Sequence, residues 1–335
     1  MKKTERLQAL ALLADAVHTD AALADVFRRA GHRNAYFTEE FTSLALEAVL
    51  SWNELSRLEA WSAAVPEQTL AEKKVGLVLA GNLPLVGWHD LLSVFVSGHI
   101  ACYKPSQHDE ILVDYLIGKL VEIAPEAGRY FQKVERLNEV EALIATGSSN
   151  TALHFDYYFR HIPRLIRGSK SSLGIVYGFE SKEELELLCD DIMQYFGMGC
   201  RSVTKILVPE EYDFHPFYEA LEKYRYLTDH HRYQNNAIYH KSIFLMNSDA
   251  FLDNDILMLR NQESLFSPQG VLHYQYYGSQ DELKELLARH QADLQCFVSA
   301  GGQYPGSLPF GKAQQPAIDD YADGVNTLAF LTGLS

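Results

Sequence analysis

Cys200 is the residue best placed in this sequence to act as a nucleophile. It lies in Phe196-Gly197-Met198-Gly199-Cys200-Arg201, after a helical pattern and before a strand pattern. Glycines there permit a tight turn and let a ligand approach the backbone. A thiol on such a turn can be presented for attack. A buried packing cysteine after a helix cap has the same local sequence, so Cys200 alone leaves both readings open. Three further segments carry polar residues at the ends of strand patterns. In Ala80-Gly81-Asn82-Leu83-Pro84 the Asn82 amide could donate to a developing oxyanion, although Asn is also common in turns. In Tyr103-Lys104-Pro105-Ser106, Lys104 could meet a ribose or phosphate, or simply snorkel at the surface. Ala145-Thr146-Gly147-Ser148-Ser149 is a small-residue turn suited to a pyrophosphate, though it is not GxGxxG.

The elements that must position these residues follow from hydrophobic spacing. Residues 1–64 read as helices, with Leu7, Leu10, Leu13 and Val17 on one stripe and Leu44, Ala45, Ala48 and Val49 on another. From Val75 the texture changes to β-rich runs: Val75–Ala80, Ile100–Tyr103, Ala142–Ala145 and Leu173–Tyr177. Helical stretches at Glu110–Ile123 and Asn150–His161 separate them, which predicts a mostly parallel sheet covered on both faces. A second unit begins near Gly178. The capping box Ser181/Glu184 opens a helix through Phe196, with Cys189 on its apolar face as a packing residue. A strand at Val203–Val208 follows, and a second box, Ser279/Glu282, opens a helix through about His290. The run Gly324–Leu334 reads as β-like.

The 335 residues, 47% hydrophobic and 22% charged, suit a globular protein with a sizeable core. With 29 basic and 44 acidic residues the net charge is −15, and no Lys/Arg block opposes it. Nucleic acid is therefore not expected as a partner, whereas a small anion held by backbone N–H groups is compatible with this charge. Four scattered cysteines without a CxxC pair point to a reducing, cytoplasmic setting. The N-terminal run resembles a signal peptide, but Glu5, Gln8 and Asp15 interrupt it and its leucines fall at helical spacing, so an amphipathic helix is expected. Val75–Tyr103 contains no Lys, Arg or Glu, yet it contains Asn82, Pro84, His89, Asp90 and His99, so it reads as buried core and not a membrane span. Asp229, His230, His231 and His240 cluster in sequence but match no standard zinc spacing, so no metal is expected.

Taken in order, Asn-x-Pro, Lys-Pro-Ser, Thr-Gly-Ser and Gly-x-x-Cys resemble the aldehyde dehydrogenase superfamily. Glu263-Ser264-Leu265-Phe266-Ser267-Pro268 is similar to its Glu-Glu-x-Phe-Gly-Pro segment, and Ser307-Leu308-Pro309-Phe310-Gly311 to its Ser-Pro-Phe-Gly segment. The resemblance spans about residues 70–335 and implies an α/β fold: a Rossmann-like parallel-sheet cofactor domain plus an α/β domain carrying the cysteine. The corresponding division is 1–177 for the N-terminal helices and NAD(P)-binding domain and 178–305 for the cysteine domain. Residues 306–335 would return to the cofactor domain or an oligomer interface. By the same resemblance Cys200 is the nucleophile, with Asn82 and the Cys200 N–H as the oxyanion hole. Lys104, Ser106 and Gln107 would meet the adenosine ribose, and Thr146, Gly147 and Ser148 the pyrophosphate. Glu263 and Phe266 would hold the nicotinamide end, while Phe310 and Met198 would contact substrate.

Departures from the family pattern narrow the chemistry. Ile166, in Ile166-Arg167-Gly168-Ser169-Lys170, takes the place of the glutamate that activates water. Without that base, hydrolysis of an acyl-enzyme is slow, which favours acyl exchange with a thiol. Gln107 replaces a ribose-binding glutamate, which favours NADPH over NADH, though NADH remains possible. Met198 replaces a common Gln, and Ser264 one of two paired glutamates. Gly81-Asn82-Leu83-Pro84-Leu85-Val86-Gly87, with His89-Asp90, Leu92-Ser93-Val94 and Ser97-Gly98-His99, is most similar to LuxC-like acyl-CoA reductases. That resemblance implies an oxidoreductase reducing an acyl thioester, acyl-CoA or an acylated donor protein, to the aldehyde. Alternatives are an acyl-phosphate reductase, a silent nucleotide-binding relative and a cysteine hydrolase. Superfamily members extend a neighbouring subunit's sheet with a strand near Gly324–Leu334, so a homo-oligomer is expected.

Overall fold

Continuous apolar runs such as Val75-Gly76-Leu77-Val78 suit strands covered on both faces. The computed structural model describes residues 1–69, 71–147 and 149–334. It divides into two compact units, Met1–Ser169 with Ala317–Ser335, and Lys170–Pro316.

In the first unit, helices α1 (Lys3–Ala11), α2 (Leu13–His18), α3 (Leu23–Arg33), α4 (Glu39–Leu50) and α5 (Leu55–Trp61) precede the sheet. The sheet elements are β1 (Lys74–Val78), α6 (Trp88–Ser97), β2 (Ile100–Lys104), α7 (Glu110–Ile123), β3 (Phe131–Lys133), β4 (Ala142–Thr146), α8 (Ser149–Tyr158) and β5 (Arg164–Arg167). All five strands are parallel in the order β3-β2-β1-β4-β5. The order reverses between β1 and β4, the topological position where open α/β sheets bind ligands. Leu77 and Ile144 from the sheet join Leu91 and Phe95 of α6 and Leu116 of α7 in one core. The apolar stretch from Val75 thus forms strand, turn, helix and strand. Among the described residues no helix is long and apolar enough to cross a membrane.

The second unit contains β6 (Ser171–Ile175), α9 (Lys182–Met193), β7 (Val203–Pro209), α10 (His215–Leu221), α11 (His231–Asn247), β8 (Leu252–Asp253), β9 (Met258–Asn261), β10 (Val271–Tyr277), α12 (Gln280–His290), β11 (Leu294–Ser299) and β12 (Leu308–Pro309). Its sheet runs β12-β11-β6-β7-β10-β9-β8, parallel except for the antiparallel β8–β9 pair. Both expected caps form: Ser181 and Ser279 accept from the backbone N–H of Glu184 and Glu282. The chain then returns to the first unit and ends with α13 (Thr327–Thr332).

The structure departs from the sequence reading at three places. The units divide at Ser169/Lys170 and not at 177/178, because β6 pairs with β7 and β11 and so belongs to the second sheet. The second break falls at Pro316/Ala317 and not at 305/306, with β12 in the second sheet. The run Gly324–Leu334 contains a helix, α13, where a strand was expected. Asn326 caps it, and Leu328 and Leu331 are buried at helical spacing. The His99 ring binds the Leu331 carbonyl at 3.0 Å, and Arg167 donates to the Thr327 hydroxyl at 2.8 Å. The strand argument for an oligomer therefore falls.

Candidate active site

Cys200 occupies the turn between α9 and β7. Apolar periodicity extends α9 to Phe196, but the helix stops at Met193, because Tyr195 (φ 54°) and Phe196 (φ 57°) are left-handed and Gly197 (φ 70°) continues the turn. Left-handed backbone costs an ordinary residue about 1–2 kcal/mol. Burial of both rings offsets this, with Phe196 set against His230 and Tyr233 at 4.5 and 6.0 Å. His230 also caps α11, accepting from the Tyr233 N–H. Beyond the turn, the Gly199 N–H and the Gln314 amide donate to Ser202 Oγ at 3.0 and 3.1 Å. Ser172 Oγ donates to the Cys200 carbonyl at 3.0 Å and lies 3.1 Å from Cys296 Sγ. The Cys200 backbone is therefore tied down while its side chain is only half-buried. Cys189 is different: it is fully buried on α9, and burial pushes its thiol up.

In the first unit Asn82 is exposed on the turn after β1. A Cβ on Gly81 would stand 2.3 Å from both Cβ and Oγ of Ser106. Only glycine lets this turn lie so close to the loop after β2. Leu85, buried and left-handed at φ 58°, closes the turn. Its N–H donates to Asp109 Oδ2 at 2.9 Å, and Asp109 Oδ1 has no hydrogen-bond partner. Burial pushes the Asp109 carboxyl well above the usual range. Asp109 thus pins the segment that presents Asn82. Sequence reasoning missed it; its signal was an acidic residue immediately before a helical run.

Lys104 and Gln107 are exposed at the end of β2, and Ser106 is half-buried. Thr146 and Gly147 are half-buried at the end of β4, and Ser148 lies outside the described residues. Ile166, half-buried on β5, pairs in register with Ala145 of β4. Its neighbour Arg167 is buried against Asp90 at 2.5 Å.

The segment after β9 is held by its backbone. Lys205 Nζ donates to the Glu263 carbonyl at 2.6 Å, the His273 ring binds that of Ser264 through Nδ1 at 2.9 Å, and Thr204 Oγ1 donates to that of Leu265 at 2.7 Å. Lys205 and His273 face each other across the β7–β10 pair. Leu265 is buried, whereas Glu263 and Phe266 are exposed. Lys205, Thr204 and His273 were also missed, although a lysine within the apolar run Val203-Thr204-Lys205-Ile206-Leu207-Val208 is a visible anomaly. Phe310 is buried and Met198 half-buried. After Phe310, the Gly311 and Ala313 N–H groups donate to Asp191 at 2.7 and 3.0 Å. Burial pushes Asp191 up to about 7 against these two N–H bonds, which favour its ionised form.

The fold is that of an aldehyde dehydrogenase. An aldehyde dehydrogenase from Bacillus cereus in an NAD+ complex matches at TM-score 0.61 and 13% identity, over 89% of this chain and 72% of that one. One from Mycobacterium tuberculosis, complexed with NAD+, matches at 0.62 and 13%, over 89% and 73%. Betaine aldehyde dehydrogenase from Staphylococcus aureus, as a point mutant with NAD+ and a BME-modified cysteine, matches at 0.65 and 11%, over 94% and 74%. No protein-family profile and no curated protein matches the sequence.

The aldehyde dehydrogenase-like first sheet suits a dinucleotide. Its switch point lies between β1 and β4, an exposed lysine ends β2, and small residues end β4 before the ten-residue helix α8. Lys104, Ser106, Gln107, Thr146 and Gly147 are the described residues that would hold it there. Among the described residues no group of three or more His, Cys, Asp or Glu side chains could hold a metal ion.

Proposed function

We propose that this chain is an NADPH-dependent reductase that converts an acyl thioester of the acyl-CoA class to an aldehyde through an acyl-enzyme on Cys200. The observation that carries the reading is a half-buried Cys200 on a backbone fixed by Ser172 and Ser202, and by the family resemblance Ile166 takes the place of the water-activating glutamate. A cysteine acyl-enzyme without a general base is protected from hydrolysis and can be reduced.

In this reading the Cys200 thiolate attacks the thioester carbonyl, and the carbonyl electron pair moves to oxygen. Asn82 and the Cys200 N–H donate to that oxyanion. Its collapse expels the coenzyme A thiolate, which takes up a proton and leaves Cys200 acylated. Nicotinamide supplies the hydride when bound. The oxygen regains negative charge as the acyl carbon becomes tetrahedral, and the same donors stabilise it again. A second collapse releases aldehyde and restores the Cys200 thiolate. Exposed Glu263 and Phe266 would hold the nicotinamide end, and Gln107 in place of a carboxylate leaves room at the ribose for a 2′-phosphate.

The test mixes purified protein with NADPH and acyl-CoAs of graded chain length, following NADPH absorbance, aldehyde and the intact mass of the protein. Chain-length-dependent NADPH oxidation, with an acyl adduct absent from Cys200→Ala, is the expected result. Adduct without NADPH oxidation would mean a non-reductive acyl transferase. Turnover of acyl phosphates alone would identify the other substrate class.

A further inference from the structure

The hold on the Glu263–Leu265 backbone is more than a loop anchor. Three successive carbonyls are each taken by a different side chain, while Glu263 and Phe266 on either side stay exposed. Lys205 is completely buried, and its ammonium meets three acceptors: the Glu263 carbonyl, Gln275 Oε1 at 2.9 Å and His290 Nε2 at 3.3 Å. Three donors and three acceptors match only while the amine is charged and His290 carries its proton on Nδ1. A buried ammonium is a poor source of stability, since an apolar side chain of similar volume often serves as well. What the ammonium adds is a single fixed position for the Glu263 carbonyl.

We propose that Lys205, with Thr204 and His273, is a positioning residue that fixes the Glu263–Phe266 backbone so that Glu263 and Phe266 receive the nicotinamide end of the cofactor in one place. The role assigned to those two side chains rests on the reductase reading above. Charged and titratable groups around Lys205 are His273 on β10, Arg289 and His290 on α12, and Glu263 itself, while Arg260 on β9 acts on His273. Burial, reinforced by Arg289, lowers Lys205 to about 8, with Glu263 opposing the shift. Above that pH the neutral amine has two donors for three acceptors, and the hold on the strip loosens. Protonation of His290 at low pH would instead set a second cation against Lys205, but burial lowers that histidine.

The experiment separates cofactor binding from thiol chemistry. NADPH binding is titrated by its fluorescence without acyl donor, and Cys200 acylation by acyl-CoA is timed by intact mass without NADPH. Lys205→Met is expected to weaken NADPH binding by about tenfold or more, the loss of a charged hydrogen bond, while the acylation rate stays within about twofold. Wild-type NADPH affinity should fall as pH rises through 8, and the fall should be absent in Lys205→Met. Thr204→Val, which keeps shape and removes one donor, should weaken NADPH by a few fold and leaves the test intact if Lys205→Met does not fold. Unchanged NADPH affinity in a folded variant would overturn the proposal, as would equal losses in binding and acylation. If the wild type binds neither NADPH nor NADH, the reductase reading falls first and this role falls with it.

Discussion

The turn bearing Asn82 and the strip bearing Glu263 solve one problem with an acid and a base. In the first unit a buried carboxyl group, Asp109, takes a backbone N–H from Leu85. In the second a buried ammonium, Lys205, takes a backbone carbonyl from Glu263. The two differ in completeness. All three Lys205 protons have acceptors, and two neighbouring side chains hold the next two carbonyls. Asp109 has a single bond to a strained residue, one oxygen being unpartnered. The Glu263 strip is thus fixed by redundancy, whereas the Asn82 turn depends on two close fits: Leu85 against Asp109 and Gly81 against Ser106.

If Asn82 is what the first grip presents, Asn82→Ala should lower the rate of Cys200 acylation roughly a hundredfold or more, read by intact mass. NADPH affinity should stay unchanged, the reverse of the Lys205→Met pattern. A matching loss in both readouts would erase the distinction between the two regions. Gly81→Ala tests the second close fit. Its methyl would overlap Ser106, so a loss of about 1–3 kcal/mol in thermal or denaturant unfolding is expected. Adding Ser106→Gly should recover much of it; no recovery would show that the strain lies elsewhere.

The buried acid and the buried base also predict opposite pH responses. Asp109 is raised by burial, so the folded state binds more protons than the unfolded chain above the ordinary carboxyl range. Wild-type stability therefore declines as pH rises toward the folded-state value. The neutral variant Asp109→Asn should gain on wild type as pH rises above the ordinary carboxyl range. Lys205 is lowered to about 8, so the unfolded chain binds more protons between about 8 and 10.5, and wild-type stability rises there. Lys205→Met should lose ground to wild type over that range. Melting curves across pH check both, and parallel slopes would show that Asp109 and Lys205 are not shifted in opposite directions by folding. A loss of the same order as that of Gly81→Ala is expected at Asp191. Asp191→Asn leaves one of the Gly311 and Ala313 N–H groups facing an amide N–H, at a cost of about 1–3 kcal/mol by chemical unfolding.

Much of this arrangement was legible before any coordinates. Gly, Pro and capping residues punctuate the strands and helices, so β1, β2, β4, β7, α7, α9 and α12 fell close to their expected limits. The turn position of Asn82 after β1 and the place of Lys104 at the end of β2 also followed from local pattern, whereas Glu263 and Phe266 were singled out by the family resemblance. What was not legible depends on partners distant in sequence. β6 reads like any apolar strand, and only its pairing with β7 and β11 assigns it to the second sheet. The apolar residues of Gly324–Leu334 suit a strand or a helix, and contacts with α6, His99 and Arg167 decide for the helix. Asp109 and Lys205 look like ordinary charged residues because the groups they grip lie 24 and 58 positions away. Tyr195 and Phe196 continue an amphipathic stripe, and nothing local announces their left-handed turn.

The chain leaves the first unit after Ser169 and re-enters it at Ala317. During synthesis the ribosome must therefore deliver the entire second unit before the first can be completed. Until then α6 lacks α13, the His99 ring lacks the Leu331 carbonyl, and Arg167 lacks the Thr327 hydroxyl. A nascent chain halted anywhere in Lys170–Pro316 would carry a first unit with an uncovered apolar face and incompletely satisfied buried polar groups, so the completion of one unit is timed by the translation of the other.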